Sequence, residues 1–154
     1  MKTIYVERLR QVEDVWQWVP EPEQFDLEED FKIDENNLER EMCRMGQLLV
    51  RYGTLAGELQ ANLTRKEEHV KLIKAKVGGV LRAQYEAQGT KITEGKLADE
   101  VIANDQYQEA LRSVHVLRSE TIQSEHWYRS AIKKSDMLNA LAFRQNAELK
   151  RAYT

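Results

Sequence analysis

Residues 38–80, LEREMCRMGQLLVRYGTLAGELQANLTRKEEHVKLIKAKVGGV, decide the fold. Stepping alternately by four and three from Leu38 meets Met42, Met45, Leu49, Tyr52, Ala56, Leu59, Leu63, Lys66, Val70, Ile73, Val77 and Val80, and of these only Lys66 is not apolar. A period of about 3.5 residues sustained this long is the pattern of a coiled-coil seam. Asp34 precedes the run as an N-cap, and Glu35 and Glu39 sit in the first turns, where the helix dipole favours negative charge. The spacing predicts a helix over 35–88, a rod of about 80 Å. Gly78-Gly79 is its weak point, since a glycine costs about 1 kcal/mol in a helix interior. A break there, or near Asn62, would give two helices instead of one.

Toward the C-terminus, Gln88-Gly89-Thr90-Lys91 ends the rod, Thr93 caps a short helix reaching about Ala103, and Asn104-Asp105 opens a second long helix. Its seam at the same spacing runs Ala110, Val114, Leu117, Thr121, Ser124, Tyr128, Ala131, Ser135, Leu138, Ala142, Gln145 and Leu149. It is richer in small residues, which let a second helix approach closely. The same holds for Gly46, Gly53 and Gly57 on the first rod. Two rods of similar length fold back as an antiparallel pair. The expected fold is therefore all-α, a long helical hairpin of coiled-coil character with a short connecting helix. Two helices cannot shield Leu48, Leu55, Trp127, Ile132 and Leu141 beside the seam, so self-association is expected.

Toward the N-terminus the pattern changes, and residues 1–33 read as an acidic arm distinct from the body, 34–154. Ile4 to Val19 suits a short helix or a partly extended segment, Pro20-Glu21-Pro22 forms a stiff link, and Gln24 to Asp30 suits a turn or two of acidic helix. Residues 1–41 carry 13 acidic and 5 basic groups, whereas 42–154 carry 18 basic and 13 acidic ones. An acidic arm on a basic body permits an anionic partner for the body, and it permits the arm to compete for that surface. Trp16, Trp18 and Phe25 dock the arm on the body or recruit a partner.

The chemistry of catalysis is missing. His69, His115 and His126 lack a glutamate three residues before them, and no H-E-x-x-H, phosphate loop or G-x-S-x-G occurs. Cys43, the lone cysteine, reads as buried packing. No cofactor or metal is expected, and no apolar run is long enough to span a membrane. A cytoplasmic protein is expected, in the host-cell cytoplasm if phage-encoded. The basic cluster Arg65, Lys66, Lys71, Lys74, Lys76 and Arg82 reads either as a solvated helix face or as a strip that neutralises nucleic-acid phosphates. Lys71, Lys74 and Arg82 lie within about 45° of one helical face, with Tyr85 a turn further on as a stacking platform.

Read in order, Gln24 to Asp30 leads through Phe31-Lys32-Ile33-Asp34 into a long helix with a basic stretch near its end. A Gly-containing loop and a small Thr-initiated helix follow. The last helix runs from Asp105-Gln106-Tyr107-Gln108-Glu109-Ala110 to Lys133-Lys134-Ser135-Asp136-Met137-Leu138. In this pattern residues 24–150 resemble the phage recombination mediator (UvsY-like) family, whose C-terminal helix closes on a basic-x-x-Asp-Met-like turn. The resemblance implies a single-stranded-DNA-binding protein that forms a closed, heptameric ring. Such a mediator helps a RecA-like recombinase load onto strands coated by single-stranded-DNA-binding protein. Lys74-Ala75-Lys76 has the form of the family's basic motif, and the cluster with Tyr85 is its expected DNA contact. The C-terminal helix is expected to carry self-assembly, through Tyr128, Ala131, Ile132, Leu138, Leu141 and Leu149. The competing reading is a phage structural or chaperone-like coiled-coil scaffold that binds no nucleic acid.

Overall fold

The computed structural model describes residues 1–152. Its elements are strands β1 (Lys2–Val12) and β2 (Val15–Phe25), helix α1 (Leu27–Phe31), a 3-10 turn (Glu35–Asn37), and helices α2 (Leu38–Ala87), α3 (Glu94–Ala103) and α4 (Asp105–Ala152). The fold is mostly helical but α+β, which corrects the all-α expectation.

The correction lies in the first 25 residues, which form an antiparallel hairpin with Val12 paired to Val15 and Lys2 to Phe25. Glu13 and Asp14 make the turn with φ of 49° and 63°. A two-residue turn with both φ positive matches the right-handed twist of the strands. Burial then alternates with the pleat: Ile4 and Val6 are fully buried, whereas Thr3 and Tyr5 are exposed. Arg8 donates to Glu58, Glu23 and Glu21, and Arg10 donates to Glu21. The hydrogen bonds from Arg10 and Arg8 hold the Glu21 carboxyl down at about 2, against an ordinary 4.5.

The chain divides into two compact units, Met1–Leu59 with the residues from Glu120 onward, and Gln60–Ser119. In the first, Phe25, Phe31, Tyr52 and Trp127 form an aromatic cluster with ring centroids 5.4 to 6.3 Å apart. Met45, Leu48, Leu55 and Leu59 of α2 and Ala131 and Leu138 of α4 extend this core. The buried face of α2 here runs Leu38, Glu41, Met45, Leu48, Tyr52, Leu55 and Leu59. Alternate members of the expected seam hold, but the intervening ones do not: Glu41, Leu48 and Leu55 replace Met42, Leu49 and Ala56. Leu48 and Leu55 are covered within the chain and need no second subunit. On α4 the small residues Thr121, Ser124 and Ala131 are buried as expected, and the Thr121 hydroxyl donates to the Leu59 carbonyl at 3.4 Å. Gly53 admits the Tyr128 ring, since a Cβ there would stand 3.2 Å from its edge.

A charged knot lies beside this core. Lys134 is 4% exposed; its ammonium donates to the carbonyls of Asp30 at 3.0 Å and Lys32 at 2.6 Å, and lies 2.7 Å from a Glu41 carboxylate oxygen. Asp30, also buried, accepts from the Tyr52 phenol at 2.7 Å and from Arg44 at 2.9 Å. Burial, helped by that bond to Asp30, raises the Tyr52 phenol well above its usual range. Residues 133–138 lie inside uninterrupted α4 and form no terminal turn. Cys43 is exposed, against the expectation of buried packing.

In the second unit Val77, Leu97 and Val101 form a core with Ile73, Leu81, Ile92 and Tyr107 packed on it. Here α2 follows the expected seam at Leu63, Ile73 and Val77, but Leu81 and not the expected Val80, which is exposed, packs on the core. The helix runs unbroken through Gly78-Gly79. Gly78 faces α3, where a Cβ would stand 3.8 Å from Val101. The expected caps are in place: the Thr93 hydroxyl accepts from the Lys96 amide, and the Asn104 carboxamide oxygen accepts from the amides of Gln106 and Tyr107.

Two predictions follow from the first unit. Lys134→Met strands the Glu41 carboxylate and two carbonyls, and should lower stability by about 3–5 kcal/mol; urea unfolding of the purified variant measures it. Because Glu21 titrates lower in the folded chain than its ordinary 4.5, its contribution is complete above that pH and is lost as pH falls toward about 2. Melting temperature followed over this window should therefore fall more steeply in the wild type than in Glu21→Gln.

Candidate nucleic-acid interface

At about 100° per residue, the basic side chains of α2 do not share one face. Lys71, Lys74 and Arg82 point one way and line an open groove of about 410 Å³ against α3, floored by Ala75, Gly78, Leu97, Ala98 and Val101. Lys66 and Lys76 point another way and line a second groove of about 740 Å³ with His69, Leu72 and Ile73, opposite Asp105 and Glu109 of α4. Lys74-Ala75-Lys76 is thus split between two grooves. Arg65 is half-buried and lines neither.

The groove against α3 concentrates positive charge best. Lys71, Lys74 and Arg82 are all exposed, and its one acid, Glu94, pairs with Arg82 at 3.0 Å. That pair is open to solvent on both sides, so water screens it and the guanidinium can exchange partners. Arg82 also borders a hollow of about 190 Å³ whose wall includes Lys91. The basic rim therefore continues from the helix onto the loop after Gly89. Lys91 was legible only as a loop residue, since nothing in its local pattern shows that the loop returns beside Arg82.

Tyr85 does not serve as an open stacking platform. It is half-buried, its phenol donates to Glu100 at 2.6 Å, and the Lys96 ammonium covers one ring face at 4.8 Å from the centroid. The second groove is less suited to phosphate, because Asp105 and Glu109 face its lysines. Its apolar lining, with Leu72 68% exposed, suits a hydrophobic contact better.

The residues expected to carry self-assembly divide. Ala131 and Leu138 are buried within the chain's own first unit, and Leu141 is half-buried. Of the residues expected there, Tyr128, Ile132 and Leu149 remain exposed, and Ile122, Met137 and Phe143, which were not expected, are exposed on the same helix. Ala131 and Leu138 pack the chain's own core.

Among the described residues no helix is long and apolar enough to cross a membrane, and no group of three or more His, Cys, Asp or Glu side chains is placed to hold a metal ion. No family model, curated protein or solved structure matches the chain.

Proposed function

We propose that the chain is a self-assembling, single-stranded-DNA-binding mediator, which helps a RecA-like recombinase replace single-stranded-DNA-binding protein on the strand. It acts in the cytoplasm, that of the host if it is phage-encoded, and contributes binding without a catalytic step. The observation that carries the reading is the convergence of Lys71, Lys74 and Arg82 on one open groove, with Lys91 continuing the rim. Exposed cations on a shared wall suit a backbone that presents regularly spaced phosphates, and contacts to phosphate carry no base preference. Order and pattern along 24–150 add the resemblance to the recombination mediators described above.

Three phosphate contacts per chain set the scale. Affinity for a single-stranded oligonucleotide should fall roughly twentyfold between 50 and 200 mM salt, from a slope of about −0.7 per contact. Fluorescence anisotropy with a labelled oligonucleotide measures this. Charge reversal of Lys71 and Lys74 together should abolish most of the binding and flatten the salt slope, leaving the mass of the assembly unchanged. Glu94→Gln should tighten binding by a few-fold, because Arg82 then has no competing carboxylate in the groove. A salt-independent response, or none, would reject the reading in favour of a scaffold that binds only protein.

A further inference from the structure

In the second unit α2 and the start of α4 run antiparallel, since Glu67 meets Arg118 at 2.6 Å and Tyr107 packs on the core around Val77. Two helices side by side leave a trough along each flank of their contact. One flank is filled by α3, whose Leu97 and Val101 pack with Val77, and whose Val101 faces Gly78. The other flank is the groove of about 740 Å³, lined by α2 and α4 alone. Its α2 residues lie about 150° round the helix from those that face α3. Ile73 and Ala110 line its base, and Leu72 stands in it 68% exposed. From Lys66 to Lys76 the trough runs about 15 Å, close to three turns of helix.

The two walls carry opposite charge. α2 contributes Lys66, His69 and Lys76, whereas α4 contributes Asp105 and Glu109. The antiparallel run puts both acids at the Lys76 end and uncharged Ser113 toward His69. Glu109 also meets Arg112 at 3.4 Å, in a pair open to solvent on both sides, so water screens it. The acids repel a nucleic-acid backbone. A trough between antiparallel helices instead takes a third helix, whose row of side chains enters it. Apolar residues at every third and fourth position of that helix meet Leu72, Ile73 and Ala110. Acids along one flank meet the α2 wall, and a base at one end of the other flank meets Asp105 and Glu109.

We infer that this trough is a docking site for an amphipathic helix of a partner protein, with an apolar stripe between an acidic flank and a basic one. Charge complementarity on both walls sets the seat of that helix, and the acids at one end set its direction. About ten residues of contact bury less than the roughly 800 Å² per partner of a standard interface, so the contact is transient. The inference goes beyond the nucleic-acid reading, because Lys71, Lys74 and Arg82 line the other groove.

The test is binding of three labelled synthetic helices to the full chain, followed by fluorescence anisotropy at low salt. All three share one leucine stripe over about four turns. Their flanks are glutamate on one side and lysine on the other, glutamate on both, or lysine on both. The mixed helix should bind wild type at least about tenfold more tightly than either of the others. Leu72→Glu should weaken it at least about tenfold, with helical circular dichroism unchanged, because that side chain is exposed in the free chain. Lys76→Glu should weaken the mixed helix and strengthen the all-lysine one. Equal binding of the three helices overturns the inference, as does no binding, or binding that Leu72→Glu leaves unchanged. Light-scattering mass covers the other occupant: a wild-type assembly that Leu72→Glu dissociates puts a second copy in the trough, and also overturns it. Oligonucleotide binding by the same variants reports on the groove against α3, so the two proposals fail separately.

Discussion

A buried ammonium holds the first unit in register. Lys134 lies deep in α4 with almost no access to water, and an amino group so placed is tolerated only when its protons meet acceptors. The carbonyls of Asp30 and Lys32 and the Glu41 carboxylate meet that need. Two of these acceptors sit at the C-terminal end of α1, where a helix has carbonyls to spare and favours a cation. One side chain of α4 therefore fixes the end of a five-residue helix that could not stand alone. Through α1 it fixes Asp30 under the Tyr52 phenol, and Phe25, just before α1, enters the aromatic cluster. The base of the hairpin is seated by a charge far away in sequence.

The same knot explains where the sequence misleads. Long helices were legible from the heptad pattern, and the helix caps at Asp34, Thr93 and Asn104 from their side chains, because such signals are local. The phase of the α2 seam in the first unit was not. A buried glutamate breaks the apolar pattern at position 41, and only its distant partner Lys134 makes that position an inward one. Ranking by hydrophobicity accordingly chose Met42, which is 41% exposed, over Glu41. In the second unit the apolar pattern named Leu63, Ile73 and Val77 as inward, but it missed buried Asn62 and chose Val80, which is 51% exposed, over Leu81, which packs on the core.

The hairpin was hidden for a different reason. Its turn is Glu13-Asp14 instead of a glycine-containing pair, and its prolines look like the end of an element. Prolines are tolerated because a two-stranded sheet leaves every second amide of each strand outward. Of the candidate site, the basic positions were legible as a list, but their division between two grooves depends on where α3 and the start of α4 return. Glu94 against Arg82 and Lys96 over Tyr85 are likewise products of that return, each joining residues more than ten positions apart.

The basic groove is a modest site by itself. Three exposed cations, one already paired with Glu94, make a modest site for a phosphate backbone, and an overall negative chain repels the strand at long range. Such a site gains strength mainly by repetition, because a strand held by one copy meets the groove of the next at high effective concentration. In the first unit Glu21 and Glu23 of β2, with Glu58 of α2, absorb the cations Arg8 and Arg10 of β1. Glu21 and Glu23 of the arm are thereby engaged by the arm's own arginines, whereas Lys71, Lys74 and Arg82 of the second unit stand exposed.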